Sequence, residues 1–198
     1  MFESHGYLGT SLQDIVTRKK VSKGALYFHF ASKEALAQAI VQEQYDMWTT
    51  AVDELRVTYP RAVRVILEMS WCVARMCRDN ALMRAGIRLL TERNLADPSA
   101  PHPFAALARI VEELFAEARA QQDLLPDVDA GMAASLVTAA IAGIQQISLA
   151  ANGRGPRKSG TARPDCITTM WRYVLPGVVT ADCLADMSLV SAELSRTS

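Results

Sequence analysis

The chain has 198 residues, half of them apolar, with 21 Lys and Arg balanced by 21 Asp and Glu to a formal net charge of zero. That length holds either one domain with a full core or a small module joined to a larger one, and the low Gly and Pro content excludes collagen-like and disordered classes. Charge neutrality excludes a globally basic nucleic-acid coat, so any nucleic-acid contact must come from a local patch.

The opening MFESHGYLGT has no basic region leading into an apolar core, and no apolar run reaches the ~18 residues needed to cross a bilayer. The expectation is a cytoplasmic protein with no membrane partner. Cys72, Cys77, Cys166 and Cys183 form no C-x-x-C pair and are expected to be reduced thiols buried as small hydrophobes.

In chain order, every long segment carries a 3.6-residue apolar period and none carries a sustained period of two. Thr10-Ser-Leu-Gln13 fits a capping box that opens a short helix over about 11–18. Ser22 caps a second short helix ending near His29, and Ser32 caps a long third one from Lys33 to the stop at Tyr59-Pro60. A helix follows over about 61–79, with Arg61, Arg64, Glu68, Arg75 and Arg78 on one stripe and Ile66, Met69, Val73, Met76 and Cys77 opposite. Another runs from Asn80 to about Asn94. The three prolines of Asp97–Pro103 demand a loop, after which Phe104, Leu107, Val111, Leu114 and Ala118 define an amphipathic helix. Asp129 caps an almost wholly apolar helix to Ala151, Asn152–Pro164 reads as a surface loop, and two helices close the chain over about 165–175 and 182–196.

Two short helices joined by a tight turn form the geometry in which the first braces the second for insertion into a major groove. In Lys23-Gly-Ala-Leu-Tyr-Phe-His29, Leu26 can face inward, with Phe30 beyond it, leaving Lys23, Gly24, Tyr27 and His29 outward. Lys23 and Lys33 suit phosphates, Tyr27 and His29 suit phosphates or base edges, and Gly24 allows close backbone approach. Arg18, Lys19 and Lys20 add positive charge. A lysine-rich turn is by itself most often a plain solvated surface.

The order of residues is more specific. The string GYLGTSLQDIVTRKKVSKGALYFHFASKEALAQAI resembles the DNA-binding region of the tetracycline-repressor (TetR) family. The resemblance implies an all-α protein with a helix-turn-helix DNA-binding domain over 1–32 and a helical ligand-binding and dimerisation domain over 33–198. It implies that Lys23, Gly24, Tyr27 and His29 enter the groove, that Lys33 clamps a phosphate, and that Thr10, Ser11 and Gln13 touch the backbone or flanking bases. Two departures stand out. Lys20 replaces the glycine usual in the turn, and of the family's first helix only Met1–Ser4 remain ahead of Gly6-Tyr7. Either the start is truncated, the favoured reading, or the natural protein begins upstream; without that helix Phe2, Ile15, Val16 and Leu26 are expected to lack apolar cover, so that the N-terminal part is mobile or binds DNA poorly.

The Ala-Leu-Tyr-Phe-His-Phe helix, Leu82-Met-Arg-Ala-Gly-Ile-Arg-Leu89 and Pro101-His-Pro-Phe104 are similar to the γ-butyrolactone-receptor branch, which implies a repressor of antibiotic or secondary-metabolite genes released by a diffusible lactone-like signal. In that branch a Trp commonly packs on the ligand near the position of Leu107, so a roomier site and a bulkier apolar effector are expected here. Thr138, Ile141, Gln145 and Ser148 trace a thin polar stripe on the apolar helix. A small oxygenated ligand, neighbouring helices or water could each satisfy it. With Met69, Met76, Met83, Leu107 and Val111, the stripe makes up the candidate ligand set, in which methionines are also ordinary core residues. Trp71 ranks below them. Leu136, Ala139, Gly143 and Ala150 form a small-residue face suited to a homodimer with the helix around Trp171, and two-fold symmetry then requires a palindromic operator.

No cofactor is implied. An enzyme is the rival from another class, but His5, His29 and His102 have no neighbouring Cys or Asp at ligand or triad spacing, and no phosphate-binding glycine loop occurs. A helical ligand carrier that does not bind DNA is the second rival.

Overall fold

A computed structural model describes residues 1–19, 22–96, 104–152 and 166–194. Among the described residues ten α-helices follow one another: α1 (Phe2–His5), α2 (Leu12–Lys19), α3 (Lys23–His29), α4 (Lys33–Thr58), α5 (Ala62–Asp79), α6 (Ala81–Ala96), α7 (Ala105–Ala120), α8 (Ala130–Asn152), α9 (Cys166–Val174) and α10 (Ala181–Leu194). Among the described residues the only β element is an isolated bridge between Leu124 and Val179. The turn carrying Lys20 and Val21, the Asp97–Pro103 loop, most of Asn152–Pro164 and the end of the last helix beyond Leu194 lie outside the described residues, as do the side chains of Arg18, Lys19, Ser148 and Ala150.

Capping explains where most helices start. Ser22 Oγ accepts from Ala25 N at 3.0 Å, Ser32 Oγ from Ala35 N at 3.1 Å, Asn80 Oδ1 from Leu82 N at 2.8 Å and Asp129 Oδ1 from Met132 N at 2.8 Å. The start of α2 differs from the expected box. Ser11 Oγ donates to Asp14 Oδ2 at 2.5 Å and accepts from Asp14 N at 3.1 Å, while Ser11 N donates to the same carboxylate. A Ser–Asp pair one residue along has displaced Thr10 and Gln13, because an ionised acceptor makes the stronger bond.

The contacts divide the chain into two compact units, Met1–Thr50 with Arg75–Ala106, and Ala51–Ala74 with Leu107–Ser198. In the first unit Phe2, Ala37, Ala85 and Leu89 form a buried cluster against which Tyr7, Ile15, Leu36, Ile40 and Val41 pack. The expectation that Phe2 and Leu26 would lack cover is corrected here. The four residues of α1 lie on α6, and Phe2 is 4% exposed, with its ring stacked on Tyr7 at a centroid distance of 6.3 Å. Leu26 is buried as well, while Ile15 and Val16 are half-buried. A salt bridge and a hydrogen bond tie α1 down, with Arg84 Nε 2.5 Å from Glu3 Oε1 and Arg88 donating to the Glu3 carbonyl at 2.8 Å.

The second unit is built around the first turns of α5, whose residues Ala62–Leu67 are all buried. The polar stripe of this helix is covered near its start and open near its end: Arg64 is 7% exposed, paired with Glu68 at 2.5 Å and stacked over the Tyr59 ring at 5.0 Å, whereas Arg75 and Arg78 are exposed. Two tryptophans bond α5 to α9 reciprocally, Trp71 Nε1 to Thr168 Oγ1 at 3.3 Å and Trp171 Nε1 to Ser70 Oγ at 2.8 Å. At the other end of the unit Arg61 bridges Asp123 at 2.6 Å and Asp186 at 3.0 Å. None of the four cysteines is in a disulfide; Cys77 and Cys183 are buried as expected, Cys72 is half-buried, and Cys166 is exposed.

Candidate nucleic-acid interface and effector site

The first unit brings the DNA-reading candidates together. Helix α3 turns Leu26 inward and leaves Lys23, Gly24, Tyr27 and His29 exposed, as its periodicity dictates. Tyr27 is 43% exposed, and Lys23 Nζ lies 5.9 Å from its ring centroid. A Cβ on Gly24 would meet nothing within 4 Å, so the open space here comes from the position of the helix and not from any need for glycine.

Phe28 was missed by sequence reasoning. It is 86% exposed on the same helix, edge-on to His29 with centroids 5.2 Å apart. The available signal was that both Leu26 and Phe30 point toward the protein, so Phe28, two residues from each, cannot. An exposed aromatic beside exposed Lys and Tyr is the chemistry that meets thymine methyl groups and phosphates in a groove.

Two further positions are placed differently. Ser11 and Gln13 are exposed, but Thr10 is 2% exposed with its hydroxyl unpartnered, so that hydroxyl cannot touch a phosphate in this conformation. Lys33 is half-buried: its Nζ donates to the Tyr7 carbonyl at 2.9 Å and sits 4.1 Å from the Tyr7 ring centroid. Two of its three N–H donors remain for a phosphate.

The ligand candidates fall in both units. Met69, Leu107, Val111, Thr138 and Gln145 are buried in the second; Met83, buried, and Met76, half-buried, belong to the first. On α8, Thr138 Oγ1 and Gln145 Nε2 are buried without a hydrogen-bond partner. Such groups cost about 1–3 kcal/mol each when left unsatisfied, which marks them as positions that a polar ligand atom would stabilise. Sequence reasoning missed a comparable pair in the first unit. Gln44 is buried with both side-chain polar atoms unpartnered, and Trp48, one turn on, has an unpartnered Nε1. Gly86 lets Gln44 lie close, since a Cβ there would overlap its Oε1. The signal was a glutamine on the stripe that also holds Ala37, Val41 and Trp48.

The first unit also contains a cavity of about 940 Å³ lined by Tyr7, Leu8, Ala37, Val41, Leu89 and Glu92 among others, and none of the expected effector residues lines it. On α8, Met132, Leu136, Ala139 and Ile147 form an exposed stripe, and on α9 it is Tyr173 that faces outward while Trp171 points into the unit. No described helix is long and apolar enough to cross a membrane.

Two short packed helices, the second with an exposed aromatic and basic face, at the start of a chain whose described residues are mainly helical, are the arrangement of a helix-turn-helix DNA-binding protein. The profile of bacterial regulatory proteins of the tetR family matches residues 1–40, and that of the tetracyclin repressor-like C-terminal domain matches residues 61–180. The chain belongs to the TetR family. It is 32% identical over 187 residues to the A-factor receptor protein of Streptomyces griseus, covering 94% of this chain and 63% of that protein, so it spans just under two thirds of that relative's length. Among solved structures, a γ-butyrolactone receptor described as ArpA-like is 27% identical with a TM-score of 0.76, over 100% of this chain and 91% of the other. CprB from Streptomyces coelicolor, solved with its biological operator sequence, is 29% identical with a TM-score of 0.74, over 100% and 92% of the two chains.

Proposed function

We propose that this protein is a ligand-responsive transcriptional repressor that binds a palindromic operator as a homodimer and is released by a small apolar effector. In this reading residues 1–32 read DNA, and residues 33–198 bind the effector and dimerise. The observation that carries it is the outer face of α3, where Lys23, Tyr27, Phe28 and His29 are exposed together on a helix held by one inward leucine. The likeness to a protein solved on its operator supports the same assignment. Lys23, Gly24, Tyr27 and His29, now with Phe28, enter the major groove, while Ser11, Gln13 and Lys33 contact the phosphates. The exposed stripe of α8, with Tyr173 of α9, forms the dimer contact, since a monomer gains nothing from holding such a face in water.

The effector is an apolar molecule with a few oxygen atoms, of the γ-butyrolactone or antibiotic-related type, and the controlled genes are those of antibiotic or secondary-metabolite formation. Unpartnered Thr138 and Gln145 support a site in the second unit walled by Met69, Leu107 and Val111; unpartnered Gln44 and Trp48 favour a second reading in the first unit, where Met83 is the adaptable wall. With Leu107 in place of the Trp of related receptors, a bulkier ligand than a simple butyrolactone is favoured. Release needs a ligand that binds the non-DNA conformation more tightly.

The test is a gel shift on short palindromic duplexes, titrated with simple butyrolactones and bulkier candidates against wild type, Leu107→Trp, Gln145→Leu and Gln44→Leu. Specific binding, with release by a bulkier compound and a changed ligand preference in Leu107→Trp, is expected. Absence of DNA binding would leave a helical ligand carrier instead. Efficient release by simple butyrolactones would defeat the effector assignment.

A further inference from the structure

Lys33 opens α4 four residues after the end of the recognition helix α3. Free in solution, its side chain would lose much of its rotamer freedom on gripping a phosphate. Here the ammonium is already held, by the Tyr7 carbonyl at 2.9 Å and the Tyr7 ring at 4.1 Å. Tyr7 is held in turn: its backbone N–H donates to Glu92 Oε2 at 2.6 Å, and Glu92 Oε1 accepts from Arg88 Nε at 2.9 Å. Gly6, at φ +70°, makes the approach possible, because a Cβ there would overlap the Glu92 carboxylate.

We propose that Glu92 on α6 is a positioning residue for DNA binding, acting through Tyr7 to pre-set the phosphate-binding ammonium of Lys33. The inference rests on the reading of Lys33 as a phosphate contact. A carboxylate accepting a backbone N–H makes a charge-assisted bond, stronger than a neutral one, so it fixes the residue that receives Lys33. Arg88 holds that carboxylate from within α6, four residues earlier, and also donates to the Glu3 carbonyl of α1. A shift of α6 relative to α1 therefore moves Tyr7 and, with it, Lys33. Pre-organisation of this kind improves affinity by removing an ordering cost and not by adding a contact to DNA.

The experiment is a double-mutant cycle on the full chain: wild type, Lys33→Ala, Glu92→Leu and the double variant, with Glu92→Gln as the conservative form. Binding to a palindromic duplex recovered by selection with the wild type is followed by fluorescence anisotropy across a salt series. Lys33→Ala flattens the salt slope by about one unit. Glu92→Leu weakens binding by about 3- to 10-fold, Glu92→Gln, which keeps an acceptor for Tyr7 N–H, restores most of it, and the double variant is no weaker than Lys33→Ala alone. A second readout needs no DNA. Reductive methylation followed by mass spectrometry finds Lys33 slow relative to Lys23 in the wild type and accelerated in Glu92→Leu. An unaltered slope in Lys33→Ala would overturn the reading of Lys33 and the inference with it. A normal Lys33→Ala effect combined with multiplying losses in the double variant, or with unchanged methylation in Glu92→Leu, would overturn the inference alone.

Discussion

Replacing Phe28 by Ala separates DNA contact from folding more cleanly than any other change on α3. The ring is 86% exposed, so the free protein loses almost no packing and its unfolding temperature should stay within a degree or two. A phenylalanine offers roughly 200 Å² for burial, of which about 170 Å² is exposed here. If the groove covers half of that, about 85 Å² leaves water on binding. At about 25 cal/mol per Å² the loss on truncation is about 2 kcal/mol, or roughly 30-fold in Kd. The loss should be concentrated on sites with a T·A pair under the ring, because the thymine methyl is the apolar feature of the major groove. Fluorescence anisotropy on a selected palindrome, and on the same duplex with uracil replacing each thymine in turn, measures both effects. Unchanged affinity in Phe28→Ala would refute the placement of this face in the groove, and an equal loss at every uracil substitution would refute the thymine contact.

Tyr27→Ala should weaken binding by about 1–3 kcal/mol and relax sequence preference while leaving thermal unfolding unchanged, to be read by anisotropy on matched and mismatched duplexes. Thr138→Val and Gln145→Leu remove buried atoms without partners, so each should keep or raise thermal stability, by up to about 1–3 kcal/mol, while abolishing effector release. Loss of stability in both would mean the groups are satisfied within the protein. Phe2→Ala should cost about 3–5 kcal/mol, since the ring is nearly fully buried against Ala37, Ala85 and Leu89; a denaturant midpoint within error of the wild type would show α1 to be ornamental. Burial pushes the Cys183 thiol up to about 11, with Asp123 adding to the rise and Arg61 opposing it, so only ~0.1% is thiolate at pH 8. Iodoacetamide at pH 8 should therefore label exposed Cys166 and spare Cys183 until the protein unfolds; equal labelling rates would contradict the buried setting.

From α2 onward, helix order and type were legible because these helices carry their own local signals. Ser22, Ser32, Asn80 and Asp129 cap where the sequence reading began each helix, and Leu26 alone settles which side of α3 faces out. What the sequence left unread depends on tertiary geometry. Ser11 and Asp14 outcompete Thr10 and Gln13 because Thr10 turns inward, which no local pattern reveals. Arg64 looks like a surface residue by type, yet it is buried against the Tyr59 ring and paired with Glu68. Lys33 reads as a solvent-facing cation, and only the folded chain brings Tyr7 and Glu92, 26 and 59 positions away in sequence, to hold it. Gln44 shares a helix face with Ala37, Val41 and Trp48, and the absence of partners for the polar atoms of Gln44 and Trp48 appears only in the folded chain, where Gly86 of α6 lies against Gln44. The four residues of α1 are too few to read as a helix at all, and the burial of Phe2 among them comes from packing on α6 and Ala37.

Selection of binding sites from a random duplex pool by the wild-type protein tests the central claim most directly. The account predicts enrichment of palindromes whose half-site centres lie one helical turn, about 10 base pairs, or a multiple of that apart, with the same pool failing to enrich when the selecting protein carries Tyr27→Ala and Phe28→Ala together. Enrichment of unpaired half-sites, or of no sequence, would contradict a dimeric repressor that reads DNA through α3.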